Sequence, residues 1–458
     1  VTQPDSNGVP RTDWLAKRTL QRGPRYTQIL GFLETAIVDG LLQPGERLPA
    51  QREVARRLGV DLTTVTRAFT EARQRGLIRT RGARGSFVAA SRADLAPMVD
   101  LGMNIPPPPL GHDLGAMLRE GLHQVLVRHD ASVLMTYQHG GGGTAARAAG
   151  ARWLEPLLGR TDAALTVLAP GAQAALAAAI LSASANGDSV LVEPWVYPGL
   201  PAAARMLGRV VRAVATDAEG MRPDALEQAL RAGARLLYLN PTLQNPTTHT
   251  MPAMRRAAIA ALLERYDARL IEDDPYARLA SHAPAPIARL APRHTFYVST
   301  LAKCLTPGLR LAFVRLPGAT ASDPFLAALH ALSVMPSPLH GALLTQWIGS
   351  GLAEQLASAV REEARQRQRI ARLCLSGATS TDQGIHLWHA LPAPWTAPAL
   401  MARARGEGLA LMPSQAFQAT LDTDDTPAAL RLSLGAAADR HQLKTALERL
   451  RELMTHAP

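Results

Sequence analysis

Lys303 stands just beyond the apolar run TFYVST in the segment VSTLAKCLTPGLR, and Arg310 follows seven residues later, behind a Pro-Gly turn. A lysine at the end of a buried strand, its pKa lowered by burial and by nearby cations, is a nucleophilic amine. It can anchor an aldehyde cofactor as a Schiff base, and Arg310 can hold a phosphate. Other strand ends carry related chemistry. In LAPGAQAAL, Gly171, Ala172 and Gln173 open a helix whose free N–H groups and positive dipole end suit a phosphate. Tyr197, in VEPWVYPG, can stack on a flat ring. LNPTLQNPTTH supplies Asn240 and Asn245, either able to donate to a ring hydroxyl, and IEDDPYARL supplies buried acids and Tyr276. A carboxylate opposite a pyridine nitrogen keeps that nitrogen protonated and strengthens the ring as an electron sink. Singly, each feature has a plainer reading: a buried lysine in an ion pair, Asn-Pro and Asp-Asp-Pro-Tyr as turns, Tyr197 as core. Their succession at consecutive strand ends is the argument for one site.

The elements that must position these residues alternate. From about residue 160 short apolar runs, LTVLAP, SVLVEP, RLLYLNP, ARLIEDD, TFYVST and LRLAFVRLP, are separated by helical stretches such as AQAALAAAILSASA and MRRAAIAALLERY. This pattern predicts an α/β body with a mostly parallel sheet covered on both faces and ligands at the carboxyl ends of its strands. Beyond about residue 340 a long helix leads to a smaller α+β unit holding GIHLWHALP, LALMPSQAF and LRLSLG. The glycine run YQHGGGG lacks the lysine and helix of a phosphate-binding P-loop and reads as a mobile turn.

The first ninety residues are of another kind. They hold 15 lysines and arginines against 8 acids, whereas the remaining 368 hold 34 against 30, so most of the net charge of +11 sits where it favours a polyanion. Ile29, Leu30, Leu33 and Ile37 fall at helical spacing with Gly40 as the stop, and QREVARRLG reads as a second short helix closed by Gly59. In the next helix Asp61 can cap the start and Val65, Phe69 and Ala72 form the buried stripe. Thr63, Thr66 and Arg67 are left on the exposed face. With the hairpin around Gly82–Gly85 as a wing, this is a mainly α winged helix-turn-helix whose third helix enters the major groove. Arg52 would grip phosphate, and Arg84 on the wing would reach the minor groove or its backbone.

At 458 residues two or three domains are expected. No apolar run approaches the roughly 18 residues of a membrane span, and the first residues lack the apolar core of a signal peptide. Two cysteines, Cys304 and Cys374, make no disulfide framework, which fits a reducing cytosol, and DNA binding through the first ninety residues would make this cytoplasmic protein nucleoid-associated. The histidines show no metal-ligand spacing, so no metal is expected, and Cys304 reads as a small packing residue.

The segment PGERLPAQREVARRLGVDLTTVTRAFTEARQRGLIRTRGARGSFV resembles the DNA-binding domain of the GntR family of bacterial transcription regulators, over residues 22–88. The resemblance carries the Leu-Pro-x-x-Arg step, the Thr64-Val65 pair and the Gly-rich wing, and adds Thr64 and Gly85 to the DNA-contacting set. Where that family often has Ser/Thr-Arg at the head of the recognition helix, this chain has Asp61-Leu62, so Arg67 or Thr63 must carry more of the readout. After a linker at 89–99, residues 100–458 resemble a fold-type I aminotransferase dependent on pyridoxal 5′-phosphate (PLP), with the smaller subdomain at about 340–458. That resemblance implies that Lys303 forms the internal aldimine and Asp273 pairs with the pyridine nitrogen. It places Asn245 and Tyr276 at the ring hydroxyl, Tyr197 on the ring, and Ala172, Gln173, Thr300 and Arg310 around the phosphate. Arg431, in LRLSLG, matches the arginine that grips a substrate α-carboxylate. Asn-Pro-Thr-Thr replaces the family's Asn-Pro-Thr-Gly, and Thr300-Leu301-Ala302-Lys303 replaces Ser-x-Ser-Lys, which removes one phosphate-contacting hydroxyl. The pairing of the two domains resembles the MocR subgroup of GntR regulators. It implies a homodimer on double-stranded DNA that senses PLP, or an amine or amino-acid effector, and alters promoter binding. An active aminotransferase carrying a DNA-binding domain remains the alternative, and a ligand-free dimerisation scaffold is a third.

Overall fold

The structure is a computed structural model that describes residues 13–15, 19–39, 41–80, 85–89, 98–138, 140–379, 381–420 and 428–455. It divides into two compact units, residues up to Val99 with Ala402–Ala410, and Asp100–Met401 with Leu411 onward.

In the first unit α1 (Arg25–Val38) buries Ile29, Leu30, Leu33 and Ile37. Helix α2 (Gln51–Leu58) stops at Gly59, whose φ of 61° is the left-handed conformation that glycine adopts without strain. Helix α3 (Leu62–Gln74) buries Val65, Ala68, Phe69 and Ala72 against the same core. Asp61 occupies the cap position of α3, but its side chain accepts no capping hydrogen bond. An antiparallel hairpin of β1 (Ile78–Thr80) and β2 (Ser86–Val88) follows, in the register Ile78 opposite Val88. Trp14 and Leu15, in a short turn ahead of α1, complete the core. The expected helix stop Gly40, the wing tip with Gly82 and Arg84, and most of the linker lie outside the described residues.

The second unit is built on a seven-stranded sheet. Its strands are β3 (Thr166–Ala169), β4 (Ser189–Val192), β5 (Val210–Ala213), β6 (Leu236–Leu239), β7 (Arg269–Asp273), β8 (Thr295–Thr300) and β9 (Ala312–Arg315). Their spatial order is β3-β9-β8-β7-β6-β4-β5, and β9 alone runs against the others. Alternate residues feed opposite faces. Val190, Val192, Ile271, Val298 and Val314 pack beneath α6 (Ala172–Ala183) and α8 (Ser322–Ser333), whereas Leu191, Leu237 and Leu270 face α7 (Ala253–Arg265). Two earlier helices, α4 (Leu114–Arg128) and α5 (Thr144–Leu158), join α9 (Pro338–Gly349) around Trp153, Phe313 and Trp347. The doubly covered sheet has near-continuous apolar strands, which is why six of the seven were readable as apolar runs. The seventh, β5, is an edge strand with only Val211 buried.

The glycine run expected to be a mobile turn is packed instead. A Cβ on Gly141 would lie 2.4 Å from Val167 Cγ1, and the Gly141 carbonyl accepts from Leu168 N at 2.7 Å. Glycine is needed there so that the backbone can approach β3.

A 23-residue helix, α10 (Leu352–Cys374), leads to a three-stranded antiparallel sheet of β10 (His386–Ala390), β11 (Met412–Pro413) and β12 (Ala429–Ser433), with β12 central. The buried Glu363 carboxylate accepts from Arg367 at 2.7 Å and from Arg440, at the head of α11 (Arg440–Thr455), at 2.7 and 2.9 Å. Arg367 also donates to the carbonyls of Leu434 and Ala437, just past β12. This network pins the exit of the strand that carries Arg431.

Candidate cofactor site and nucleic-acid face

Asp273 is the last residue of β7 and is 5% exposed. The Tyr238 hydroxyl on β6 donates to its Oδ2 at 2.9 Å, and Asn240 Nδ2 donates to its backbone carbonyl at 2.9 Å. Oδ1 has no partner among the described residues. Burial, reinforced by Asp274, pushes this carboxyl up to about 7 against the pull of Tyr238 and Lys303. Asn240 Oδ1 in turn accepts from Asn245 N at 2.9 Å, so Asn240 is consumed in fixing the loop and is not free for a ring hydroxyl. Asn245 is: its buried Oδ1 has no partner among the described residues.

Lys303 follows β8, and its Nζ donates to the Asn104 carbonyl at 2.5 Å. Burial first, then Arg431 and Arg310, draw its pKa down to about 8, with Asp273 opposing. Asn104 Nδ2 donates to the Tyr276 hydroxyl at 2.8 Å, and the Tyr276 ring packs on His386 with centroids 5.0 Å apart. Thr300, the last residue of β8, accepts from Ala302 N at 3.3 Å through its hydroxyl oxygen, which leaves the hydroxyl proton free to donate.

The phosphate-type groups converge at the start of α6. Its N-cap, Gly171, has φ 93°, and a Cβ there would lie 3.3 Å from the Arg310 guanidinium. Ala172 and Gln173 form the first helical turn, whose N–H groups have no helical acceptor. The Gln173 side chain donates to the Gly199 carbonyl at 2.8 Å and accepts from the Tyr197 hydroxyl at 3.2 Å, so only its backbone is available. Tyr197 is half-buried and feels both Asp273 and Arg310.

Arg431 lies on β12 and is 4% exposed, not a surface residue. It donates to the Gly102 carbonyl and stacks over Phe417 at 5.3 Å, while its Nε has no partner among the described residues. Electrostatic coupling links Lys303 to Arg431, Arg310 and Asp273, and Tyr276 to Arg431 and Asp273, so these groups share one site. A cavity of about 220 Å³ beside Gly142, Thr144, Leu168 and Pro338 contains none of them.

PLP fits this donor set. A buried carboxylate oxygen without a partner is costly, and Asp273 Oδ1 suits a protonated ring nitrogen. Asn245 suits the ring hydroxyl, and Arg310 with the α6 terminus suits the phosphate. Sequence reasoning missed Tyr238, Asn104, His386 and Phe417. Tyr238 had a signal, because it precedes Asn240 by two residues and so shares its side of the strand. Asn104 had none, being 199 residues from Lys303.

On the first unit, Thr63, Thr66 and Arg67 are exposed on α3, with Thr64 half-buried beside them, and Arg52 is exposed near the start of α2. Thr66 Oγ1 donates to Gln51 Oε1 at 2.8 Å, which joins the two helices, and the Arg67 guanidinium lies 4.0 Å from the Tyr26 ring centroid. Gly85 has φ 96°, and a Cβ there would meet Arg47 at 3.5 Å. That contact places Arg47, which sequence reasoning did not single out, beside the wing.

A mainly parallel sheet with this lysine, acid and arginine at its strand ends defines a fold-type I aminotransferase body, here accompanied by a winged helix-turn-helix. Residues 96–450 match the family described as Aminotransferase class I and II, and residues 25–88 match Bacterial regulatory proteins, gntR family. The chain belongs to the class I and II aminotransferase family and, with its GntR domain, to the MocR subgroup of transcription regulators. The HTH-type transcriptional regulator YdeF of Bacillus subtilis is 28% identical over 94% of each chain. The Vitamin B6 salvage pathway transcriptional repressor PtsJ of Salmonella typhimurium is 30% identical over 66% of this chain and 69% of its own. LysN, an alpha-aminoadipate aminotransferase from Thermus thermophilus solved with N-(5'-phosphopyridoxyl)-L-leucine, shares the fold with a TM-score of 0.71 at 24% identity, over 84% of this chain and 98% of its own. Among the described residues no helix is long and apolar enough to cross a membrane.

Proposed function

We propose that this regulator holds PLP on Lys303 and uses it to sense PLP itself or an amine or amino-acid effector, changing how a cytoplasmic homodimer binds double-stranded promoter DNA. The observation that carries the reading is the pair of unpartnered buried oxygens, Asp273 Oδ1 and Asn245 Oδ1, in the same site as the low-pKa amine of Lys303. PLP, when bound, supplies an aldehyde that captures amines and a ring that withdraws electrons.

The chain's own residues divide the remaining work. Lys303, near its pKa at neutral pH, provides a neutral amine fraction. Asp273, held by Tyr238, turns Oδ1 toward the ring nitrogen, and Asn245 and Tyr276 orient the hydroxyl edge. Tyr197 covers one ring face. Ala172 and Gln173 present N–H groups to the phosphate beside Thr300 and Arg310. Arg431 offers a buried fork to an effector carboxylate. On DNA, Arg52 holds phosphate, and Thr63, Thr64, Thr66 and Arg67 face the major groove, with Gly85 on the wing. An effector shifts DNA binding only by its difference in affinity for the two arrangements.

The test is to add single amines and amino acids, with no keto acid, to PLP-loaded protein while following its visible absorption and its affinity for duplexes selected from a random pool. A change in absorption that saturates, is absent in Lys303→Ala and alters DNA affinity supports the sensor. Because Lys303, Asp273 and Arg431 are all retained in one site, turnover is the competing reading. Sustained accumulation of a new amino acid once a keto acid is supplied, with DNA affinity unchanged, would overturn the sensor.

A further inference from the structure

Arg431 does not stand alone on its face of the three-stranded sheet. Trp388 on β10 and Met412 on β11 both lie directly opposite it. Residues paired across antiparallel strands project to the same side. The Trp388 ring packs on Trp195 with centroids 5.5 Å apart and meets Phe417 edge-on at 6.4 Å. Phe417 carries the Arg431 guanidinium on its face. The backbone holds this wall in place. Val196 N donates to the Phe417 carbonyl at 2.8 Å, Ala419 N donates to the Pro194 carbonyl at 2.9 Å, and Gln244 Nε2 donates to the Trp195 carbonyl at 2.6 Å. Trp195 and Trp388 are each only half-buried, so part of each indole is open.

We propose that Trp195, Trp388 and Phe417 form the side-chain subsite of the sensor, and that its effector is an amino acid with an aromatic or bulky apolar side chain. This rests on the reading in which PLP held at Lys303 receives the amino end and Arg431 the carboxylate end. An amino acid held at both ends leaves its side chain beside the cross-strand neighbour of Arg431, which is Trp388. A small side chain would leave the indole surface in water and forgo its burial. A cationic one would meet the Phe417 face already shared with Arg431, whose charge Lys303 already feels. Like charges in so buried a site repel strongly.

The experiment uses the full chain loaded with PLP, titrated separately with L-phenylalanine, L-alanine and L-lysine at matched ionic strength. Visible absorption reports the cofactor, and tryptophan emission reports the wall. L-Phenylalanine is expected to bind roughly tenfold or more tightly than L-alanine, with L-lysine the weakest, and to change the tryptophan emission. Trp388→Ala should bring phenylalanine to within about threefold of alanine, whereas Trp388→Phe should keep most of the preference. The ratio is the readout, because a merely structural defect weakens both ligands together. Should Trp388→Ala fail to fold, Trp195→Ala carries the same expectation. Equal affinities in the wild type, or parallel losses in the variants, overturn the subsite and leave the sensor standing. No response to any amino acid, with PLP still retained by Lys303, overturns both.

Discussion

The Tyr238 hydroxyl donates to Oδ2 of Asp273 at 2.9 Å and leaves Oδ1, on the same buried carboxyl, without a partner among the described residues. The tyrosine fixes the plane of the carboxyl, so Oδ1 has a set direction before any ligand arrives. Preorganisation of this kind favours a ligand that brings a charged donor, and it costs stability when none is present.

The cost has a predictable pH dependence. Asp273 is displaced upward from 3.8 to about 7. Its contribution to stability is therefore fully present below pH 3.8 and is lost as pH rises through about 7. Asp273→Asn removes the ionisable group. PLP-free variant is expected to be more stable than PLP-free wild type at pH 8, at about 1.4 kcal/mol per pKa unit, and to converge with it near pH 4. The neighbouring acids Glu193, Glu272 and Asp274 are displaced in the same direction but are common to both proteins. Thermal melts across pH 4–8 check the crossing, and a PLP titration should show at least about a tenfold loss of affinity in the same variant.

Lys303 gives a second pH signature. With its pKa near 8, the rate of PLP capture should rise about tenfold per pH unit below that value and level off above it. Arg431 is the second cause of the lowering after burial. Arg431→Gln should therefore move the inflection upward, and Lys303→Ala should abolish capture. Stopped-flow absorbance from pH 6 to 10 separates these outcomes.

Lys303, Asp273, Arg310 and the α6 terminus were legible because each sits at a strand or helix end marked by local sequence. The strand runs around them were legible because both sheet faces are covered. Strand β5 was not, since an exposed edge strand lacks a long apolar run. Asn104 joins Tyr276 and Lys303 from a distant segment that carries no pattern of its own. The packing of Gly141 on Val167 was hidden for the same reason: the contact is set by the fold and leaves no periodic trace. Local signals marked the groups proposed to act, and tertiary contacts supplied the groups that hold them.

The DNA face separates positioning from readout. Arg52→Ala should weaken every duplex alike and make the dependence of log affinity on log salt shallower by about 0.9, the signature of one lost phosphate contact. Thr63→Ala should leave that slope unchanged and relax preference at one base position by about 1–3 kcal/mol. Fluorescence anisotropy at several salt concentrations, on duplexes selected from a random pool, distinguishes the two. A change of slope in Thr63→Ala would reassign it to the backbone.

Arg431 combines two effects that substitution can divide. Its guanidinium is buried, anchored on the Gly102 carbonyl and the Phe417 ring, and keeps Nε unpaired. If it grips an effector carboxylate, Arg431→Gln should cost amino acids about 3 kcal/mol, on the order of a hundredfold in affinity. n-Propylamine, which has no carboxylate, should bind the variant within about threefold of wild type when each protein is measured above its own Lys303 inflection. Arg431→Lys restores charge but not the planar fork, so its affinity for amino acids should fall between the two. Equal losses for propylamine and amino acids would instead mean that Arg431 acts only by lowering the pKa of Lys303, and would remove the carboxylate contact from the mechanism.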